Sequence, residues 1–395
     1  MNKYVLVLIS VLTFLSNALK AQESEIVEVF KNQPVNFHGE KGDTLSIKRV
    51  QDGRLLFKKV KAPVFPEGTD VKLKMTLKSA GDAWDKSGSL FVVTEPDKID
   101  IEDIANGTKT FPAAAGVKDY PGIKMTKDYI PALEILRFMT PFGVGYYSDE
   151  EAHPRIRYNR PVSIPNWAQD VIWEENISHL ASELTGEFII GVWIDTWTAE
   201  GYTIDVSFEY SGRPLLTNKV IPLVNTIYYA GQKHPDLFAY QDLETKFELP
   251  EDATNVKLHY ITTGHGGHSG GDEFIKINNK VSVDGRKLID FIPWRDDCAS
   301  FRRFNPSSGV WTRQDTAYAY NKKGKKEYKE IEERLASSDL SRSNWCPGSK
   351  VSPEVVNLGN MKKGNHTLKI SIDGTPIEGE KLNHWLVSAY LTYEE

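Results

Sequence analysis

Apolar residues return at every second position in run after run of this chain. Val71, Leu73, Met75 and Leu77 form one series, Tyr202, Ile204, Val206, Phe208 and Tyr210 another, and Trp385, Val387, Ala389, Leu391 and Tyr393 a third. A β-strand turns successive side chains to opposite faces, so this spacing predicts strands with one buried face. Further strands are expected over 44–50, 54–60, 89–94, 133–140, 187–196, 226–230, 245–249, 255–262, 274–281 and 366–372. Turn pairs such as Asp52-Gly53, Asp284-Gly285 and Asp373-Gly374 sit beside these runs, as in antiparallel sandwiches rather than strand-helix-strand units. Long helical spacing is scarce. The expected class is all-β.

Two segments escape the alternation. Residues 96–127 are rich in Gly, Pro and Asp and read as a long surface loop; over 325–335, Tyr328, Ile331 and Leu335 give a weak helical face among charges. A chain break is expected at Ser211-Gly212-Arg213-Pro214, where a long alternating strand runs into turn residues. The expected parts are therefore 1–21, 22–213 and 214–395.

The first part reads as a signal peptide. Lys3 supplies its positive start, Tyr4 to Leu19 is mostly apolar, and Ala18-Leu19-Lys20-Ala21 ends on a small residue. Ser10, Thr13, Ser16 and Asn17 interrupt the run, and no later segment approaches the roughly 20 apolar residues of a spanning helix. The expectation is a secreted or periplasmic protein, a monomer, with no membrane span. Loss of Lys3 and Lys20 with the leader takes the formal charge from −6 to about −8, which argues against a nucleic-acid partner. The remaining roughly 374 residues exceed one comfortable core and suggest two domains. Of the two cysteines, Cys298 and Cys346, an exported chain would first make one disulfide, stabilising by roughly 4 kcal/mol in the chain-entropy model. A thiol nucleophile is the alternative.

Three carboxylates lie beside aromatics at strand ends. Asp85 sits between Trp84 and Lys86, Asp195 lies two residues from both Trp193 and Trp197, and Glu273 follows the glycine-rich stretch Thr263 to Asp272. Carboxylates accept hydrogen bonds from sugar hydroxyl and acetamide groups while ring faces cover sugar C–H surface, so the combination suits a glycan site. Singly, each pair is common on any sandwich surface.

Five ordered blocks sharpen the reading. Trp84-Asp85; Glu134-Ile-Leu-Arg-Phe-Met-Thr-Pro-Phe-Gly-Val-Gly145; Asp195-Thr-Trp197 with Gly201-Tyr202; Gly270-Gly-Asp-Glu-Phe274 with Ile277-Asn-Asn279; and Arg342 with Trp345-Cys-Pro-Gly348 together resemble the peptide-N-glycosidase F family. The resemblance implies two side-by-side antiparallel eight-stranded jelly rolls with long inserted loops and a cleft between them. It implies hydrolysis of the amide joining an N-linked glycan to asparagine in a glycopeptide or glycoprotein, without a cofactor. Asp85 would activate water, Glu273 would hold the inner sugar and polarise the leaving group, and Asp195 would order a hydroxyl or a bridging water. Lys86, Arg342, Trp84, Trp197, Phe142, His265 and His268 would contact substrate.

Departures from the family are visible as well. Of its disulfides only Cys298–Cys346 would survive; Asp195 stands where the family has glutamate, and Lys86 where it has arginine. Residues 302–340 form a longer segment that could wall the cleft. His265 and His268 could share an ion, but no third ligand has recognisable spacing and a glycine-rich turn more simply brings backbone near a ligand, so no metal is expected. The run Lys322 to Lys326 reads as a solvated loop. Competing readings are a glycan-binding module that lacks chemistry and a glycosidase acting on a glycosidic bond. A copper oxygenase on a paired jelly roll would need histidine clusters that are missing here.

Overall fold

The computed structural model describes residues 24–39, 46–65, 68–94, 98, 100–112, 120–153, 164, 166–212, 218–232, 234, 236–266, 271–374 and 384–394. The proposed leader, His268 and Gly270 lie outside them, as do parts of the segment 96–127 and of the expected break at 211–214. The first half contains β1 (Ser24–Val35), β2 (Ile47–Val50), β3 (Leu55–Lys61), β4 (Thr69–Ser79), β5 (Ser87–Val93), β6 (Leu133–Met139), β7 (Val171–Asn176), β8 (Glu187–Ile194) and β9 (Tyr202–Gly212). The second half contains β10 (Lys219–Asn225), β11 (Leu243–Leu249), β12 (Ala253–Gly264), β13 (Asn279–Val283), β14 (Arg286–Phe291), β15 (Val310–Tyr320), β16 (Lys326–Ala336), β17 (Lys350–Val351), β18 (Glu354–Met361), β19 (Gly364–Ile372) and β20 (Trp385–Glu394).

In the first half the sheet β1-β9-β4-β7 faces the sheet β6-β5-β8-β3, and in the second β10-β20-β12-β18 faces β11-β19-β13-β14. Counted within each half, both read first-eighth-third-sixth against second-seventh-fourth-fifth, the nested Greek keys of a jelly roll. Two short edge strands extend the first sandwich beyond eight, β2 beside β3 and β17 beside β6, the latter donated from the second half. Each sandwich encloses its own apolar core, one built around Leu73, Met75, Val192 and Phe208 and the other around Leu258, Val281, Leu368 and Leu391.

A third apolar cluster joins the halves. Leu55, Phe57, Phe91 and Trp193 from the outer face of β3-β5-β8 pack on Ile227, Tyr229 and Leu386. This explains why β6 is buried at every position and β5 at nearly every one: both faces of the sheet are covered, so continuous apolar runs replace alternation. The Glu134–Arg137 pair of β6 is fully buried here. Arg137 donates from Nε and Nη2 to Glu134 at 2.6 and 2.7 Å, and from Nη1 to Thr263 Oγ1 and the Leu386 carbonyl across the junction.

Three local expectations are corrected. Residues 226–230 form no strand; they are the junction segment, and Ile227 and Tyr229 recur at spacing two because both enter the third cluster. The strand expected from Phe274 begins only at Asn279, since residues 273–275 are held as a turn by bonds from Ser343 to the Glu273 and Ile275 carbonyls. The weak helix at 325–335 is instead β16, paired residue for residue with β15 from Val310↔Ala336 to Tyr320↔Lys326. Asn321 Oδ1 accepts from the Lys323 and Lys325 amides and Gly324 adopts φ +70°, so the turn chemistry outweighs a three-residue helical spacing. The segment 96–127 is largely irregular where described, but holds one helix, Ile101–Ala105, capped by the Asp100 carboxylate accepting from the Glu102 and Asp103 amides. Between β13 and β14 the Asp284-Gly285 pair has φ of 52° and 77°, the type I′ geometry that hairpins favour.

Candidate functional site

Two acidic strand ends share one rim of the first sandwich. β5 begins at Ser87 and its antiparallel neighbour β8 ends at Ile194, and the Asp195 amide donates to the Ser87 carbonyl at 3.0 Å. The turn before β5 is tied down by the buried Asp82, which accepts from the Trp84 amide at 3.0 Å and the Thr196 hydroxyl at 2.7 Å. Tyr202 donates to the Trp84 carbonyl at 2.5 Å, and Thr140 Oγ1 accepts from the Lys86 amide at 2.8 Å. Asp85 is therefore presented by a turn whose backbone has few free groups.

The second half brings its own acid to the same place. Arg342 is held by a backbone bridge to Arg295, and the next residue, Ser343, donates to the Glu273 carbonyl at 2.9 Å. The Arg342 side chain, 2% exposed, donates from Nε to Glu273 Oε1 at 2.8 Å and from Nη1 to the Leu340 carbonyl, while Nη2 lies 3.8 Å from Asp85 Oδ2. The rings of Phe274 and Trp345 lie 5.0 and 4.9 Å from its guanidinium carbon. Asp85 and Glu273, one from each half, thus meet at one cation. Burial pushes the Asp85 carboxyl up to about 7; Arg342 and Lys86 oppose the rise and Glu273 adds to it. Trp84, beside it, is 55% exposed.

Asp195 accepts from the Tyr228 hydroxyl at 2.7 Å and lies 3.5 Å from Arg54, whose guanidinium covers the half-exposed Trp197 ring at 4.3 Å. Phe142 is buried beneath the Trp84 ring, at 6.5 Å between centroids, and its amide donates to Asn305 Oδ1. His265 lies within hydrogen-bonding range of Ser87 Oγ (3.3 Å) and Thr263 Oγ1 (2.8 Å) and stacks on Trp345. Burial, Arg137 and His384 hold its imidazole well below the usual range, so the ring stays neutral, and its contact with Ser87 links the two halves. Lys86 stands half-buried beside Asp85, and His268 is outside the described residues.

Cys298 and Cys346 form a disulfide spanning 48 residues, and the thiol-nucleophile reading falls away because both sulfurs are bonded. The disulfide anchors the segment that carries Arg342 and Trp345. Among the described residues no group of three or more His, Cys, Asp or Glu side chains is arranged to hold a metal. Sequence reading missed Arg54, Tyr228, Phe274 and Trp345 as site neighbours. Arg54 and Tyr228 each sat in an expected strand, with no local signal that they converge on Asp195.

The family model for the N-terminal part of peptide-N-glycosidase F matches residues 26–210, and the model for its C-terminal part matches 233–392. The chain belongs to the peptide-N-glycosidase F family. Solved structures of PNGF-II in two crystal forms are 33% identical to it, cover 97% of this chain and 68% and 67% of their own, and superpose with a TM-score of 0.79. The structure of PNGase F, a glycosylasparaginase from Flavobacterium meningosepticum, is 14% identical, covers 94% of this chain and 96% of its own, and gives a TM-score of 0.57, a likeness of fold. No curated protein matches the chain. Its acid-arginine-acid junction lies where its two jelly rolls meet.

Proposed function

We propose that this protein hydrolyses the β-aspartylglucosaminyl amide of N-linked glycopeptides and glycoproteins. The observation that carries the reading is the meeting of Asp85 and Glu273, from opposite halves, at the buried Arg342 guanidinium. A carboxylate poised near neutrality is matched to general-base work. Asp85 takes a proton from water as the water oxygen attacks the side-chain amide carbon of the glycosylated asparagine. The carbon–nitrogen bond then breaks, the leaving nitrogen takes a proton, and the peptide retains aspartic acid. The released glycosylamine then takes up a second water from solvent to give a reducing sugar and ammonia.

Glu273, fixed by Arg342, binds the inner sugar and polarises the leaving group; Asp195 orders a hydroxyl or a bridging water. Lys86 and Arg342 supply donors toward the carbonyl oxygen, where negative charge develops. Trp84 and Trp197, exposed on the first-half side, offer ring faces to the sugar. Export through the proposed leader belongs to the same reading; among the described residues no helix is long and apolar enough to cross a membrane.

Mass spectrometry of a digested N-glycopeptide tests the proposal directly. Conversion of the asparagine to aspartate with ammonia release is expected. One N-acetylglucosamine left on asparagine would make the protein a glycosidase, and bound but unaltered glycopeptide would make it a lectin. Glu273→Gln is expected to remove conversion without loss of the fold, read by circular dichroism.

A further inference from the structure

Asp195 is gripped by one side chain from each half. Tyr228, in the junction segment after β10, donates its hydroxyl to Oδ2 at 2.7 Å, and Arg54, just before β3, brings Nη1 to 3.5 Å from Oδ1. The Arg54 guanidinium also lies over the Trp197 ring at 4.3 Å and the Phe37 ring at 5.0 Å. Its own backbone is fixed, since its carbonyl accepts from the Ile194 amide at 3.1 Å. The Tyr228 ring meets Trp193 of β8 edge-on, with centroids 5.2 Å apart.

One planar cation therefore aligns a carboxylate and an indole face together, which a lysine, with its point charge and flexible stem, could not do. Burial and the neighbouring Asp195 push the Tyr228 hydroxyl well above its ordinary range, so it remains a donor at any working pH. A short aspartate stem has two rotatable bonds, and a hydrogen bond at one oxygen with a cation beside the other restricts that freedom.

We propose that Arg54 and Tyr228 are positioning residues that set the Asp195 carboxylate and the Trp197 ring for the sugar, with Tyr228 the latch by which the second half orients an acid of the first. The inference rests on the amidase reading of this site. Sub-ångström placement matters here because misplacement of about 1 Å can cost up to about 100-fold in rate.

The test uses Tyr228→Phe and Arg54→Lys, each made in the native background and in Asp195→Asn, with glycopeptide conversion and crystal structures as readouts. Alone, each variant is expected to lower kcat/KM by at least about tenfold. In the Asp195→Asn background Tyr228→Phe is expected to cost nothing further, because it acts through that carboxylate. Crystals of the single variants are expected to show the Asp195 carboxylate rotated, and for Arg54→Lys the Trp197 ring displaced. Equal losses in both backgrounds, or an unmoved Asp195 and Trp197, would overturn the proposal in favour of a purely structural role. A native protein that converts no glycopeptide would defeat the amidase reading instead, and the two crystal structures would still decide whether the clamp exists.

Discussion

Asp85 shows how far one carboxylate's surroundings can move its chemistry. Its pKa, raised from 3.8 to about 7, means that the folded protein binds the proton more tightly than the unfolded chain does. The stability this contributes is present below the unfolded value and is lost as pH rises through about 7, while the ionised form needed to accept a proton from water grows over the same interval. Turnover on a glycopeptide is accordingly expected to climb as pH passes about 7 and then level. Asp85→Asn is expected to lower kcat by roughly 100-fold to 10,000-fold and to raise the melting temperature at pH 8, with the gain fading at pH 4. Calorimetry at both pH values checks the sign. An unchanged or lower melting temperature at pH 8 would mean that the buried charge is not costly. Asp272, next to Glu273, is also pushed up to about 7 by burial, but it is fully buried, with the His384 amide at 3.3 Å. Adjacent acids in one motif thus stand in different surroundings, Asp272 beside the His384 amide and Glu273 on the Arg342 guanidinium.

At the scale of elements, the β15–β16 ribbon is the feature most at odds with its local pattern. Its strands are exposed at most positions, and it is anchored chiefly at its base, where Trp311 packs 5.3 Å from Phe274 and Ser337 donates to the Gly309 carbonyl. Phe274 in turn lies against Arg342, so the base of the ribbon borders the acid-arginine-acid junction. Replacing Arg313 to Glu333 with an Asn-Gly turn is expected to change stability by less than about 1 kcal/mol, since few buried contacts are removed. If the ribbon walls the cleft, the same truncation raises the rate on a folded glycoprotein relative to its own glycopeptide. Urea titration and paired rate measurements check the two parts, and an unchanged rate ratio would remove the wall. The spacing of Tyr328, Ile331 and Leu335 fits a helix, but each residue is paired across the ribbon to β15. A solvated hairpin needs no buried stripe, and its side chains pair across to the strand just before it, Tyr328 opposite Tyr318 and Leu335 opposite Trp311.

At the scale of the whole molecule, the site exists only while the halves stay docked. The docking surface buries Glu134 and Arg137 completely, and Arg137 reaches across to Thr263 and Leu386. Removing one member of such a pair strands the other charge. Arg137→Met is expected to cost about 3 to 5 kcal/mol and to abolish amide hydrolysis at temperatures where the halves separate. Calorimetry together with glycopeptide conversion checks this, and native stability in that variant would show that the ion pair does not hold the junction. The block from Glu134 to Gly145 is one of the five that carry the family resemblance, yet its charged residues Glu134 and Arg137 lie at the interface.

Alternation and turn residues were enough to determine an all-β chain, because period-two burial is a local consequence of strand geometry. The sequence blocks determined the family, and with it the three acids expected at the site. Strands covered on both faces were legible only as apolar runs. Which strands paired, which half lent β17 to the other, and which of several acids would lose its water were decided by the tertiary structure. Desolvation and hydrogen bonding depend on residues far apart in the chain: Asp85 on Arg342, Asp195 on Tyr228, His265 on Ser87. Such contacts leave no periodic trace, since each is made where two separately folded surfaces meet.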